Sequence, residues 1–240
     1  MTAEITTDGL FSGALLLDQP ARGYRVNVDA LLLAAFAAQR HAGVCVDLGA
    51  GVGAVGLGLH HLGAVRRVEL VEIDESLAAL ARKNLERAGA PGAVHVANLE
   101  RGLPAALKQR ADLVVCNPPF FEPHASRPAR EAGKQRARFG SLTPFLRAAA
   151  LALRVARGRA AFVYPARALS TIMLEAEKLG LVAKRLRLVH ADAASPARAA
   201  LIELRLAKPG GLVIEPPLIE WSAPGRRSAE LAELLAGKRG

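Results

Sequence analysis

The tetrapeptide Asn117-Pro118-Pro119-Phe120 combines two hydrogen-bond acceptors with a flat apolar ring. Each proline fixes its φ angle and lacks an N–H, so the Pro118 carbonyl and the Asn117 side-chain oxygen can be held as rigid acceptors. Two acceptors suit the two hydrogens of an exocyclic NH2 group, and binding both directs the nitrogen lone pair toward an electrophile. Phe120 can stack on the planar base or amide that carries this group. Because Asn and Pro are also ordinary turn residues, only the context of the tetrapeptide distinguishes a site from a simple turn.

A glycine-rich turn lies upstream of the tetrapeptide, between a short apolar run and a helical pattern. Gly49 and Gly51 leave the backbone bare, so a ligand can approach closely where the N–H groups of the next helix point outward. Asp47 precedes them, where it can hold an ammonium group or simply cap the turn. Glu72 ends the next apolar run, 19 residues after Gly53, where a carboxylate can accept hydrogen bonds from ribose hydroxyls. The spacing predicts a nucleotide cofactor.

The same turn also satisfies the dinucleotide fingerprint through Gly51-x-Gly53-x-x-Gly56, which makes a nicotinamide or flavin oxidoreductase an alternative. Two features count against that alternative. Asp47 stands before the glycines, and the more specific tetrapeptide follows the apolar run that is expected to form the fourth strand.

The elements that must position these residues alternate between strand and helix patterns. We predict an α/β fold with a Rossmann-like, doubly wound, seven-stranded sheet, mostly parallel with one antiparallel strand. Residues 1–35 are predicted to form a short N-terminal hairpin and helix packed on a single domain, 1–240. The predicted strands are 44–48, 68–73, 93–97, 112–116, 159–164, 184–190 and 199–206. The predicted helices are 54–61, 75–88, 104–108, 143–155 and 167–179.

The composition indicates a chain that can bury a substantial core. Of the 240 residues, 51% are hydrophobic, yet no apolar run reaches the roughly 18 residues of a membrane-spanning helix. The first residues show no basic stretch leading into an apolar run, so we expect a soluble, cytoplasmic protein. Cys45 and Cys116 lie in apolar runs and are expected to be buried thiols. The histidines share no ligand spacing, so no metal site is expected.

The charge balance favours a polyanionic partner, since the formal net charge is +10 and the sequence pI is about 10.4. Five of the 32 Lys and Arg residues fall in the polar segment 122–140, which we predict to be a loop. Its basic side chains are candidates for contact with a phosphate backbone, and a solvated surface is the alternative. These residues are Arg127, Arg130, Lys134, Arg136 and Arg138, with Arg22 and Arg25 as secondary candidates.

Taken together, Asp47-x-Gly49-x-Gly51, Glu72 and the tetrapeptide resemble the motifs of class I S-adenosylmethionine-dependent methyltransferases. The N-P-P-[YF] form is the one used on the amino groups of adenine, guanine or glutamine. Segments 19–33 and 216–219 and a second Phe after the tetrapeptide are similar to the bacterial family that methylates N6 of adenine in valine tRNA, next to the anticodon. The resemblance implies S-adenosylmethionine as cofactor and tRNA as partner. Monomer and homodimer stay open as alternatives.

The resemblance also implies residue roles. Asn117, Pro118 and Phe120 would act on the target amino group, and Pro119 and Phe121 would contact the base that carries it. The cofactor would be held by Asp47, Gly49, Gly51, Glu72, Ile73 and Asn98. Asn98 stands where related sequences usually have Asp, so we expect a weaker hydrogen bond to the adenine amino group of the cofactor. Asp29 is expected to cap a helix over 30–38.

Several alternatives remain open within and beyond this chemistry. The tetrapeptide recognises an NH2 group, so a ribosomal RNA amino methyltransferase and a protein glutamine-N5 methyltransferase are alternatives. The basic charge favours RNA over protein. From other classes, the oxidoreductase and a noncatalytic RNA-binding module also remain.

Overall fold

The computed structural model describes residues 4–119, 142–155 and 157–238, and in these a central sheet of nine strands is flanked by helices on both faces. An N-terminal hairpin precedes the sheet and a second short hairpin follows it. In chain order the strands are β1 Ile5–Leu10, β2 Leu15–Pro20, β3 Ala42–Leu48, β4 Val65–Glu72, β5 Gly92–Val96, β6 Leu113–Cys116, β7 Arg159–Pro165, β8 Leu181–His190, β9 Ala197–Leu206, β10 Val213–Ile214, β11 Leu218–Ile219, β12 Trp221–Ala223 and β13 Arg226–Arg227.

The described helices follow the predicted alternation with two corrections: the helix predicted over 104–108 is a 3-10 turn, because the backbone leaves the helical region at Lys108 and Gln109, and the helix predicted over 143–155 ends at Ala152. They are α1 Val28–Ala37, α2 Ala54–His61, α3 Glu75–Arg87, α4 Leu142–Ala152, α5 Leu169–Glu177 and α6 Ala229–Leu235, with 3-10 turns at Ala105–Leu107 and Ala166–Ala168. The strands of the sheet are ordered β10-β8-β9-β7-β6-β3-β4-β5, and β11 also pairs with β8. All pairings are parallel except those of β9, which runs antiparallel to β7 and β8. The predicted Rossmann-like α/β fold is confirmed, and the short strands β10 and β11 extend it.

The central strands are buried because helices cover both faces of the sheet, and successive side chains of a strand point to opposite faces. In β3, Cys45 belongs to the apolar cluster that includes α1, α2 and α3, whereas its neighbour Val46 belongs to the cluster that includes α4 and α5. All four residues of β6 are buried. This double covering fixes the ends of β3 and β6, and therefore fixes the residues that follow them.

The N-terminal hairpin is attached to α3 through one buried side chain. The Asn84 amide, which is fully buried, donates to the Asp18 and Val52 carbonyls at 2.9 and 3.0 Å and accepts from the Asp18 N–H at 2.8 Å. Arg87 adds an ion pair to the Asp18 carboxylate at 2.7 Å. These contacts fix the end of β2, from which residues 21–27 lead into α1.

The start of α1 corrects one sequence-based expectation. Asn27 caps the helix, since its side-chain oxygen accepts from the Ala30 N–H at 3.3 Å. Asp29 was expected to have this role, but the helix begins at Val28 and Asp29 lies within its first turn. There its carboxylate accepts from Arg198 of β9 at 2.7 Å. Asp29 therefore ties α1 to the sheet.

Candidate active site

Four neighbouring strands bring the predicted site residues to one edge of the sheet. β6, β3, β4 and β5 are adjacent and parallel, so their carboxyl ends lie side by side. The glycine turn follows β3, Glu72 ends β4, Asn98 comes two residues after β5 and Asn117 follows β6 directly. In open α/β sheets this edge is where ligands bind. The fold thus places the described parts of both predicted motifs at the same edge.

Backbone geometry explains the glycines of the turn. Gly49 and Gly51 adopt φ angles of +72° and +57°, which disfavour other residues. The Gly49 N–H donates to the Val71 carbonyl, and the Gly51 N–H donates to the Glu72 carboxylate, both at 2.8 Å. A Cβ atom on Gly49 would lie 3.1 Å from the ring of Phe145 in α4. The turn is therefore pinned to β4 and has no room for side chains.

The Asp47 carboxylate is shielded from solvent. It is 1% exposed, and its Oδ2 accepts from the Gly56 N–H at 2.9 Å. Burial raises the pKa of Asp47 to about 7, and the negative charge of Glu72 adds to the rise, while the Gly56 hydrogen bond opposes it. A bound cation would compensate this buried charge. The ammonium of an amino acid moiety has the chemistry that this position requires.

Glu72 carries a carboxylate that several backbone groups orient. Its Oε1 accepts from the N–H groups of Ile73 and Asp74 at 2.8 and 2.9 Å, in addition to the Gly51 hydrogen bond to Oε2. Ile73 is 52% exposed, although it is a large apolar residue. An oriented carboxylate beside an exposed apolar side chain fits a ribose and the flat face of a base.

Asn98 lies at the same edge with its oxygen partly engaged. The side-chain Oδ1 accepts from the Glu100 N–H at 2.9 Å, which forms a local turn. A carbonyl oxygen has two lone pairs, so one remains for another donor. The expected role of Asn98 toward an amino group is compatible with this geometry and stays a prediction.

Tyr24 is a site residue to which the sequence pattern assigned no role. It lies between β2 and α1, and its hydroxyl and ring would collide with a Cβ atom on Gly51. Tyr24 is 39% exposed as a whole, but its phenol end is covered, and this burial raises the pKa of Tyr24. The charges of Asp47 and Glu72 add to the rise, while a hydrogen bond with the Val52 backbone opposes it. Tyr24 therefore covers the glycine turn.

The segment that carries Tyr24 is held by the hairpin. The Val26 N–H donates to the Gln19 side chain at 2.9 Å, and Gln19 donates to the Asp8 carboxylate at 2.7 Å. Arg25 also pairs with Asp8 at 3.1 Å. Arg25, a secondary candidate for contact with a phosphate backbone, thus also helps to hold residues 21–27 in place.

The amino-binding motif is described through its first three residues. Asn117 is half-buried, Pro118 is buried and Pro119 is exposed. The Asn117 Nδ2 donates to the Asn27 Oδ1 at 3.4 Å. Other predicted substrate residues lie outside the described residues; they are Phe120, Phe121, Arg127, Arg130, Lys134, Arg136 and Arg138.

The described residues fit S-adenosylmethionine. The buried Asp47 carboxylate suits the ammonium of the methionine end, and Glu72 with Ile73 suits the nucleoside end. Within the described ranges no three His, Cys, Asp or Glu side chains are grouped as a metal site would require. In the same part of the chain no helix is long and apolar enough to cross a membrane.

Comparison with known proteins places this arrangement in a methyltransferase context. The family described as Methyltransferase small domain matches residues 25–132. The tRNA1(Val) (adenine(37)-N6)-methyltransferase of Porphyromonas gingivalis is 33% identical over 180 residues, covering 71% of this chain and 70% of the relative. The enzyme of the same name from Trichodesmium erythraeum is 33% identical over 186 residues, covering 75% of this chain and 77% of the relative.

Solved structures agree on the fold. A structure described as a predicted O-methyltransferase from Agrobacterium tumefaciens superposes with a TM-score of 0.70 at 21% identity, covering 88% of this chain and 97% of that one. TYW2 of M. jannaschii in complex with AdoMet superposes with a TM-score of 0.57 at 15% identity, covering 85% of this chain and 86% of that one. At these sequence identities the similarity shows a shared fold and not a shared substrate.

Proposed function

We propose that this chain methylates N6 of the adenine next to the anticodon of valine tRNA, because it belongs to the family of the tRNA1(Val) (adenine(37)-N6)-methyltransferases. S-adenosylmethionine is the cofactor. The observation that carries the proposal is the position of Asn117 and Pro118 directly after β6, beside the turn after β3. Asn117 and Pro118 would bind the amino group, and the glycine turn would bind the cofactor. Because β6 and β3 are adjacent, these two groups would lie side by side.

The chain's own residues hold the cofactor by charge and backbone contact. Asp47 binds its ammonium, Glu72 accepts from its ribose hydroxyls and Ile73 packs on its adenine. When bound, S-adenosylmethionine supplies an electrophilic methyl group on a sulfonium. Burial of Asp47 excludes water from the methionine end, so the charge pair is stronger than it would be at the surface.

The amino-binding residues act by orientation. The Asn117 side-chain oxygen and the Pro118 carbonyl each accept one hydrogen of the target NH2 group, which turns the nitrogen lone pair away from the ring. After methyl transfer the nitrogen is cationic and readily loses a proton to water. The site therefore needs no strong general base, and we assign that role to none of the described residues next to Asn117.

The proposal that tRNA is the partner is supported by the charge of the chain as well as by its relatives. A net charge of +10 attracts a phosphate backbone. Arg22, which is exposed between β2 and α1 on the segment that covers the site, and the basic segment 122–140 are the proposed contacts. We propose that a single domain, 1–240, carries both the site and this surface.

Labelled methyl transfer tests the proposal. We expect wild-type protein to label a tRNA pool, and not ribosomal RNA or protein pools, when given methyl-labelled S-adenosylmethionine. Asn117→Ala should reduce labelling by at least about a hundredfold, as loss of a group that orients a reacting atom does. Labelling of ribosomal RNA or protein alone would shift the substrate assignment. Equal labelling by wild type and variant would exclude the proposed role of Asn117.

A further inference from the structure

Asn27 and Asn117 meet across 90 residues of sequence. Asn117 follows β6, and its Nδ2 donates to the Oδ1 of Asn27 at 3.4 Å. Asn27 belongs to the segment between β2 and α1, which also brings Tyr24 over the glycine turn. The contact therefore joins the N-terminal segment to the residue that is proposed to accept the target amino group.

An asparagine amide has two ends of opposite hydrogen-bonding character. Only the oxygen can accept from an NH2 group, whereas the Nδ2 group would repel it. With Nδ2 donating to Asn27, the Asn117 oxygen is the end left for a ligand. Among the residues that the structure describes, no donor is bound to this oxygen. The orientation of the Asn117 amide thus determines whether it can act as an acceptor.

The orientation of Asn27 is itself fixed by the start of α1. Its Oδ1 accepts from the Ala30 N–H at 3.3 Å, as an N-cap side chain does. The Ala30 N–H also donates to the Asn27 backbone carbonyl at 3.2 Å, and because an NH2 group cannot accept from it, the cap favours the oxygen end of Asn27 toward the helix. The same oxygen then faces Asn117 and requires a donor there. A helix N-terminus in this way dictates the amide orientation of a residue in another element.

The segment around Asn27 is anchored independently of α1. The Val26 N–H is bound by Gln19, which is 3% exposed and held by Asp8. Arg25 is bound by Asp8 and by the Thr6 hydroxyl at 2.8 Å. The backbone that carries Asn27 is therefore held by contacts that do not involve Asn117.

We propose that Asn27 is a positioning residue that fixes the amide of Asn117 with its oxygen toward the target amino group. This role deepens the proposed function and rests on it. Asn27 needs no contact with the base itself. It acts by holding one of two amide orientations of its neighbour.

Asn27→Ser separates this role from helix capping. Serine is a good N-cap residue, but its shorter side chain does not extend to Asn117. At saturating cofactor we expect kcat for methyl transfer to a valine tRNA transcript to fall about three- to tenfold, the factor that one net hydrogen bond is worth. The Tm and the affinity for S-adenosylhomocysteine should match wild type. A kcat equal to wild type would overturn the proposal, as would a loss explained by lower Tm and weaker cofactor binding.

Asn27→Asp is the matched control, because it keeps an oxygen at the same reach for both Ala30 and Asn117. We expect its kcat to stay close to wild type. A loss equal to that of Asn27→Ser would show that the amide of Asn27, and not its oxygen, matters, and would overturn the proposal.

A second measurement does not depend on activity. In 15N-labelled protein the side-chain NH2 resonances of Asn117, identified by their loss in Asn117→Ala, should shift in Asn27→Ser and change far less in Asn27→Asp. Unchanged resonances in Asn27→Ser would overturn the inference. If wild type transfers no methyl group to any RNA, the proposed function fails, and the NMR result still tests the contact separately.

Discussion

The backbone N–H of Gly51 donates a hydrogen bond to the Glu72 carboxylate, 2.8 Å from Oε2, and joins the turn after β3 to the end of β4. Glu72→Ala removes this bond and the acceptors for the cofactor's ribose. We expect the affinity for S-adenosylhomocysteine, measured by calorimetry, to fall by about a hundredfold, since hydrogen bonds to charged groups contribute about 1.5–3 kcal/mol each.

Glu69→Ala is the control for this change. Glu69 lies in the same strand and is as buried as Glu72, at 7% exposure, but it pairs with Arg67 and His95 away from the turn. We expect it to lower the unfolding free energy while leaving cofactor affinity unchanged. Equal losses of affinity in the two variants would contradict a specific role for Glu72.

Asp47 should make cofactor binding depend on pH. With a folded pKa near 7, Asp47 is largely protonated below pH 7, and pairing with an ammonium requires that it lose a proton. The affinity for S-adenosylhomocysteine should rise as pH increases from 5.5 to 7, approaching about tenfold per pH unit at the acid end, and level off above 7. Calorimetry over this range checks the slope. In Asp47→Asn the dependence should be nearly flat and the affinity lower at pH 8.

The same group affects the stability of the protein without cofactor. Its folded pKa exceeds the unfolded value of 3.8, so its favourable contribution is complete below 3.8 and is lost as pH rises through 7. Asp47→Asn should therefore gain stability relative to wild type between pH 5 and pH 8 in urea unfolding. A difference between the two proteins that does not change with pH would refute the burial of an ionisable Asp47.

Gly51→Ala should abolish tight cofactor binding for two reasons. The φ angle of +57° strains any other residue, and the new Cβ would collide with Tyr24. Gly89→Ala is the control, because Gly89 has φ +60° at the end of α3 and nothing within 4 Å of a Cβ. It should cost about 1 kcal/mol of stability and no cofactor affinity. We expect adding Tyr24→Ala to Gly51→Ala to restore part of the stability, and no recovery at all would argue against the Tyr24 contact.

Asn84→Ala should loosen the hairpin that holds residues 21–27. Three hydrogen bonds of a fully buried amide are lost, so we expect the unfolding free energy to fall by about 2–4 kcal/mol. Chemical denaturation measures this loss. Arg82→Ala, at an exposed position of the same helix, should change it by less than about 0.5 kcal/mol. A loss for Asn84→Ala as small as this would mean that the hairpin is held elsewhere.

Local patterns could predict where β3 and β6 end, because their apolar runs stop at Gly49 and at Asn117-Pro118. They placed the starts of β3 and β4 two and three residues too late, because the observed first residues, Ala42 and Val65, precede the apolar runs. They could not predict the contact between Asn27 and Asn117, which depends on how residues 21–27 cross the sheet edge. The cap assignment failed at Asp29 because Asn and Asp both cap helices, and only the observed start of α1 decides between them. Strands β10 to β13 have two or three residues each, too few for a periodicity to appear.

The most direct test is the product itself. Valine tRNA transcripts incubated with the wild-type protein and S-adenosylmethionine would be digested to nucleosides and analysed by mass spectrometry, beside transcripts in which guanine replaces the adenine next to the anticodon. We expect N6-methyladenosine from the first transcript, none from the second, and at least a hundredfold less with Asn117→Ala. N6-methyladenosine in equal amount from both transcripts, or a methylated nucleoside other than N6-methyladenosine, would contradict the account.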